Sequence, residues 1–159
     1  MSVKLEKIVY DGRSRRALLD FGPSLLFNEL VEEVLRMVKD YYLGDMQQRV
    51  QRLRDVKINQ HSKPDFFNAY IKNEWWYRVV GTFEVEHGNQ SNETELGYIS
   101  IIPQTYYGCK RISAKFFMKD MQNPAKDWDK TASQLDLEGF CRYGKKLIDS
   151  QQATPLQQR

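Results

Sequence analysis

A block of alternating strands between residues 74 and 118 constrains the fold more than any other feature of the sequence. Three runs, at 74–86, 95–102 and 109–118, are rich in β-branched and aromatic residues, and turn-forming residues separate them. This pattern predicts consecutive antiparallel strands and therefore an α+β fold that contains a β-meander. Because side chains alternate along a strand, Trp75 and Trp76 are predicted to point to opposite faces of the first strand. A second unusual aromatic pair, Tyr106-Tyr107, lies on or beside the same sheet.

Helices are predicted both before and after this meander along the sequence. The segment 24–43 carries one broad apolar stripe at spacings of three and four, and further helices are predicted at 45–57 and 133–149. A short edge strand is predicted at 3–10. The predicted fold is therefore α+β, with two N-terminal helices and a C-terminal helix packed on a curved antiparallel sheet of about four strands. The order of these elements is similar to that of helix-grip and cone-shaped α+β folds, although no sequence motif supports the similarity.

Length and composition indicate one intracellular domain. A single domain is expected over residues 1–150, followed by a flexible, Gln-rich tail at 151–159. No run approaches the roughly 18–20 apolar residues of a membrane span, and the first residues lack an apolar export signal. Two cysteines are too few for a disulfide framework. A cytoplasmic protein without a membrane partner is expected, and oligomerisation is left open.

The sequence holds no recognisable motif for catalysis, metal binding or cofactor binding. The two histidines, His61 and His87, are far apart, no Cys-x-x-Cys motif is present, and no glycine-rich loop precedes Lys-Ser or Lys-Thr. Metal sites and phosphate loops need such spacings. No catalytic residue, metal or cofactor is therefore predicted, and a binding protein is favoured over an enzyme.

Basic residues are concentrated in three segments of the chain, although its net charge is only +3. Segregated Lys and Arg beside aromatic rings are typical of surfaces that follow phosphates and stack bases. The leading hypothesis is a non-catalytic binding or assembly module for an anionic or macromolecular partner, either a nucleic acid or an acidic protein surface. The residues predicted to bind that partner are Arg49, Arg52, Arg54, Lys57, Lys110, Arg111, Lys115 and Trp76.

Two alternatives stay open. Helices packed over a curved sheet can enclose an apolar pocket, so the chain could instead be a small-molecule carrier or an enzyme. Such a pocket would be lined by Phe27, Val34, Tyr41, Tyr77, Val79 and Phe116. The chain could also be a structural subunit of a larger assembly that uses Trp76 and Phe117 as interface anchors.

Overall fold

One antiparallel sheet with two helices packed on one face makes up the computed structural model, which describes residues 4–23, 26–44, 53–62, 74–84, 92–118 and 132–157. The six strands among these residues lie in the order β1-β2-β6-β5-β4-β3. The strand before the first helix therefore pairs with the last strand, and β3 to β6 form a continuous meander. The elements are β1 (Lys7–Asp11), β2 (Arg16–Asp20), α1 (Phe27–Leu43), β3 (Leu53–His61), β4 (Trp75–Phe83), β5 (Asn92–Tyr106), β6 (Cys109–Met118) and α2 (Ala132–Gln157).

The predicted α+β class and antiparallel meander are confirmed, and the sheet is larger than predicted. The three predicted strand runs correspond to β4, β5 and β6. The sheet continues through β3 on one side and through the β1–β2 hairpin on the other. The sequence does not predict β2, because the segment Arg16–Asp20 contains Ala and Leu rather than β-branched residues. Pairing with β1 and β6 on its two sides stabilises this strand.

The second predicted helix is wrong where the structure describes it. Residues 53–61 form β3, paired with β4, while residues 45–52 lie outside the described part of the chain. A β-bulge between Leu53 and Asp55 inserts one extra residue. The buried residues Leu53 and Val56 are therefore three positions apart, which is a helical spacing that a strand without a bulge would not show.

The first predicted helix is confirmed as α1, which begins at Phe27 rather than at residue 24. Its apolar stripe is buried against the sheet, and Phe27 at its start is only half-buried. The sheet residues in the same core cluster come from every strand and include Ile8, Leu19, Val56, Val79, Ile99, Ile101, Ile112 and Phe116. Burial of this stripe, more than helix propensity, therefore stabilises α1.

The second helix, α2, packs on β1, β2 and β6 and also contacts α1. Two glycines allow this close approach. A Cβ atom at Gly139 would overlap the hydroxyl group of Tyr41, and a Cβ atom at Gly144 would lie 2.8 Å from Cδ1 of Ile8. Each glycine lowers helix propensity by about 1 kcal/mol relative to Ala, so packing is the reason for both residues. The helix continues to Gln157, beyond its predicted end at residue 149.

Trp75 and Trp76 point to opposite faces of β4, as predicted. Trp75 packs against the main core, whereas Trp76 forms a separate cluster with Tyr98 and Phe117 on the other face. The rings of Trp76 and Phe117 are stacked with centroids 5.1 Å apart. This cluster leaves Trp76 only 5 % exposed, and its role in binding a partner stays a prediction.

Candidate functional site

The turn between β5 and β6 carries the most exposed aromatic residues among those described. Tyr106 pairs with Cys109, so the turn has two central residues, Tyr107 and Gly108. Their φ angles are 49° and 78°, and positive φ at both central positions defines a type I′ turn. Tyr106 is 53 % exposed and Tyr107 is 89 % exposed. We refer to Tyr106, Tyr107 and Gly108 as the tyrosine tip.

Tyr107 is an unfavourable residue for the first central position of this turn. Asn-Gly is the preferred pair, because Asn and Gly tolerate a left-handed backbone. A residue with a larger side chain is destabilised there by about 1–2 kcal/mol. The tip therefore holds a bulky ring in water, in a conformation that works against folding. Backbone strain of this kind is concentrated at functional sites in proteins.

The tip extends beyond the neighbouring strand. β4 begins at Trp75, which lies opposite Ile101, and residues 102–106 of β5 continue past it alongside β6. The two tyrosine rings meet edge to face, with centroids 4.5 Å apart. The geometry therefore presents a small aromatic surface at the end of a two-stranded ribbon.

The base of the ribbon is fixed to the residues that follow β2 and contacts the first residue of α1. The backbone N–H of Phe21 donates to the carbonyl oxygen of Lys110 at 3.0 Å, and the N–H of Lys110 donates to Gly22 at 2.9 Å. The Nζ atom of Lys110 lies 4.9 Å from the ring centroid of Phe27. These contacts hold the tip at the end of the sheet where α1 begins.

A cavity of about 490 Å³, the tip cavity, lies beside the tyrosines. Arg111 donates from Nε to Oδ1 of Asp20 at 2.6 Å and from Nη2 to Oδ2 at 3.4 Å. This hydrogen-bonded ion pair holds the pKa of Arg111 above its usual value. The guanidinium group lies 4.7 Å from the ring centroid of Tyr106 and therefore restrains that ring. The other lining residues are Glu6, Lys7, Gly22, Tyr107 and Cys109.

The two free cysteines differ in accessibility. Cys109 is partly buried and lines the tip cavity, whereas Cys141 is only 2 % exposed within the core. Burial raises the pKa of the Cys141 thiol to about 12. Because the thiolate is the nucleophilic form, Cys141 is not a nucleophile at neutral pH.

The structure separates the predicted partner-binding residues into two groups. Arg54 and Lys57 lie on β3, at one edge of the sheet, and β4 and β5 separate them from β6. At strand spacings of about 4.8 Å, the two groups are about 14 Å apart across the sheet. Arg49 and Arg52 lie outside the described residues. The β6 group consists of Lys110, Arg111 and Lys115.

The cations on β3 are paired with carboxylates from the end of β4 and the start of β5. Lys57 forms an ion pair with Glu93 at 3.1 Å, and Arg54 forms one with Glu84. On β6, the ammonium group of Lys115 lies 5.0 Å from the ring centroid of Phe117. The positive charge that is concentrated in the sequence is therefore partly neutralised in the folded chain.

Four of the residues predicted to line an apolar pocket lie instead in the packed core. Val34, Tyr41, Val79 and Phe116 are each at most 1 % exposed. Phe27, the fifth, lies beneath Lys110. The sixth, Tyr77, does line a cavity, with a volume of about 370 Å³ between α1 and the sheet.

This cavity, which we call the α1 groove, has a helical wall and a strand wall. Asn28, Val31, Glu32 and Leu35 follow one another on a single face of α1, because their spacing matches the helical period. Gln60, Trp75 and Tyr77 come from β3 and β4, and Gln60 is the register partner of Tyr77. Burial raises the pKa of Tyr77, and the nearby charge of Glu32 raises it further. The groove therefore combines aromatic rings, aliphatic side chains, amides and one carboxylate.

The described residues contain no group of three or more His, Cys, Asp or Glu side chains that could hold a metal ion. No helix in this part of the chain is long and apolar enough to cross a membrane. Comparisons with protein-family models, with curated proteins and with solved structures found no match to this chain. Its function is therefore inferred from the tyrosine tip and the α1 groove.

The sequence marks Tyr106 and Tyr107 as an unusual aromatic pair but does not predict them as binding residues. Aromatic residues beside strands are usually buried, and exposure cannot be derived from residue type. The one available signal is Gly108, which follows the pair directly and precedes a strand. A glycine in that position indicates a short hairpin turn and therefore an exposed tip.

Proposed function

We propose that this protein is a non-catalytic binding module that docks on another protein through the tyrosine tip. The observation that carries the proposal is Tyr107, which is 89 % exposed and has a φ angle of 49°. An exposed ring contributes little to folding, whereas a left-handed backbone destabilises the turn, so stability gives no reason for Tyr at this position. Strained, exposed aromatic residues are typical of residues that act in an interface.

The charges around the tip favour a protein partner over a nucleic acid. The tip cavity is lined by two cationic side chains, Lys7 and Arg111, and by two carboxylates, Glu6 and Asp20. A surface that follows a phosphate backbone needs an excess of uncompensated Lys and Arg. Protein interfaces instead combine tyrosine anchors with a mixed polar rim. The lining of the tip cavity has the mixed charged and aromatic composition of a protein interface.

The expected partner surface has an apolar pocket that receives the ring of Tyr107, with polar groups at its rim. The two-residue turn fixes the backbone of the tip, and Arg111 restrains the neighbouring ring of Tyr106. A preorganised aromatic anchor loses little conformational entropy on binding.

A peptide display library tests the proposal, because selection does not require the partner to be identified first. Peptides are selected on the full chain, and their affinities are measured by fluorescence polarisation. Tyr107→Asn is expected to weaken binding by about tenfold or more, because an anchoring Tyr typically contributes about 2 kcal/mol. The matched control is Val9→Thr, which removes another exposed apolar side chain outside the lining of the tip cavity. The control is expected to leave the affinities unchanged.

If Tyr107→Asn weakens the binding of none of the selected peptides, the tip is refuted as the docking surface, and peptides that lose affinity on Glu32→Gln are assigned to the α1 groove instead. A fluorescent single-stranded oligonucleotide is assayed in parallel. If the oligonucleotide binds through the tip and its affinity falls steeply with salt, the partner is a nucleic acid rather than a protein. The last measurement is sedimentation of the chain at micromolar concentration. If the wild type forms a dimer and the Tyr107→Asn variant does not, the partner is a second copy of this chain.

A further inference from the structure

The α1 groove offers a chemistry different from that of the tip. Trp75 and Tyr77 occupy alternate positions of β4 and therefore present their rings on the same side of the sheet. Glu32 faces these rings from the opposite wall of the cavity of about 370 Å³. Aromatic faces attract cations through the negative potential of the ring, and a carboxylate supplies the counter-charge.

We propose that the α1 groove is a binding site for an organic cation, namely an alkylammonium or guanidinium group of the kind that lysine and arginine side chains carry. The Trp75 and Tyr77 rings and the Glu32 carboxylate contact the charged group. The aliphatic side chains of Val31 and Leu35 cover the apolar stem of the ligand. The inference goes beyond the proposed docking of the tip, because it rests on a different cavity and different residues.

Two features of α1 could oppose a cation in this groove, and the geometry limits both. The positive end of the helix dipole lies near the groove, but its effect decays within the first turn, whereas Glu32 is the sixth residue of the helix. Arg36, one turn beyond Glu32, could occupy the carboxylate. It is bound instead to Glu33 and, at 2.7 Å, to Asp40, so Glu32 faces the cavity without this competitor.

Nuclear magnetic resonance of the full chain tests the site directly. The indole N–H signal of Trp75 is identified as the one that is missing from the Trp75→Phe variant. Butylammonium is expected to shift this signal with roughly millimolar affinity, as contacts with both rings and the Glu32 carboxylate together permit. Butanol, a neutral molecule of similar shape, is expected to shift it far less. Glu32→Gln should weaken butylammonium binding about fivefold, in line with the contribution of one exposed ion pair.

The matched control is Glu29→Gln, which removes an exposed carboxylate from the first turn of the same helix without changing the lining of the groove. It is expected to leave the affinity unchanged. If Glu29→Gln and Glu32→Gln weaken butylammonium binding equally, the effect comes from general surface charge, and the proposed site is wrong. Equal shifts with butanol and butylammonium, or no shift of the Trp75 signal at all, would overturn it as well.

A blocked tripeptide with lysine at its centre, acetyl-Gly-Lys-Gly-amide, identifies the source of the cation. If it binds about tenfold more tightly than butylammonium, the natural ligand is a basic side chain of a peptide or protein. Equal affinity points to a free amine, and both results support a cation site. Tyr107→Asn should leave every one of these titrations unchanged, so the groove and the tip can fail independently.

Discussion

Replacing Tyr107 by Asn is expected to stabilise the protein while it removes the side chain proposed to bind the partner. The left-handed backbone costs a residue such as Tyr about 1–2 kcal/mol, and Asn relieves most of this strain. The loss is small, because the Tyr107 ring is 89 % exposed and its main described contact is the edge-to-face pair with Tyr106. Such a pair contributes about 0.5 kcal/mol. The net gain in the free energy of unfolding is therefore about 0.5–1.5 kcal/mol.

Thermal and urea unfolding of the purified chain measure this gain. In a domain of this size, 1 kcal/mol corresponds to a shift in Tm of about 2–4 °C. The urea midpoint should rise while the m value stays constant, since the surface exposed on unfolding hardly changes. Tyr107→Phe is the control, because it removes only the hydroxyl group and keeps the strained backbone. Its stability should equal that of the wild type.

A lower Tm for Tyr107→Asn would refute the reasoning. It would mean that the ring contributes more to folding than its exposure indicates, and the strained turn would no longer point to a functional tip. A higher Tm combined with unchanged peptide binding would separate the two claims, leaving the strain real and the docking role wrong. The expected combination, increased stability with lost binding, is the signature of a residue kept for function.

Four further outcomes follow from the packing of the core and from the accessibility of the two cysteines. Gly139→Ala should destabilise the protein by about 1–3 kcal/mol in urea unfolding despite its better helix propensity, because the new methyl group overlaps the Tyr41 hydroxyl; an unchanged midpoint would contradict this packing. Val34→Asp should cost several kcal/mol in the same assay, since Val34 is fully buried and the carboxylate would have no partner. A thiol reagent at pH 8 should label Cys109 in the native protein and Cys141 only after unfolding, because burial raises the pKa of Cys141 to about 12. The Cys141 thiol ionises near pH 9 in the unfolded chain and only at higher pH in the folded one. The free energy of unfolding should therefore fall as the pH rises above about 9. In the Cys141→Ala variant, the contribution of this thiol to the fall should be absent.

Local periodicity was sufficient to predict the parts of the fold in which each residue occupies a regular position. The meander, the two faces of β4 and the buried stripe of α1 follow from periods of two and 3.6 residues. The segment 53–57 could not be predicted in this way, because the bulge at Leu53 gives a strand the spacing of a helix. The role of Gly139 also depends on tertiary contact, since only the packed position of Tyr41 explains why a glycine is needed.

The candidate sites were less predictable than the fold. The exposure of Tyr107 depends on the register that pairs Tyr106 with Cys109, and a shift of one residue would change the turn. The α1 groove brings together residues of α1 with residues of β3 and β4 that are about 25–50 positions away in the sequence. Of its lining residues, Tyr77 alone belongs to the predicted pocket. The spacing of residues within one helix or strand does not show which residues of another element they contact.

Charge provides a case in which the folded arrangement gives less support to an inference than the linear sequence does. Lys57 and Glu93 are separated by 36 positions, yet their strands bring them to 3.1 Å, and Arg54 meets Glu84 in the same way. Each exposed pair contributes at most about 1 kcal/mol to stability, so these contacts do not explain the fold. They do lower the local positive charge, and a polyanion would have to break them before it could bind these cations. Segments that are basic in sequence therefore form an attractive surface for phosphates only where the sheet does not place carboxylates beside them.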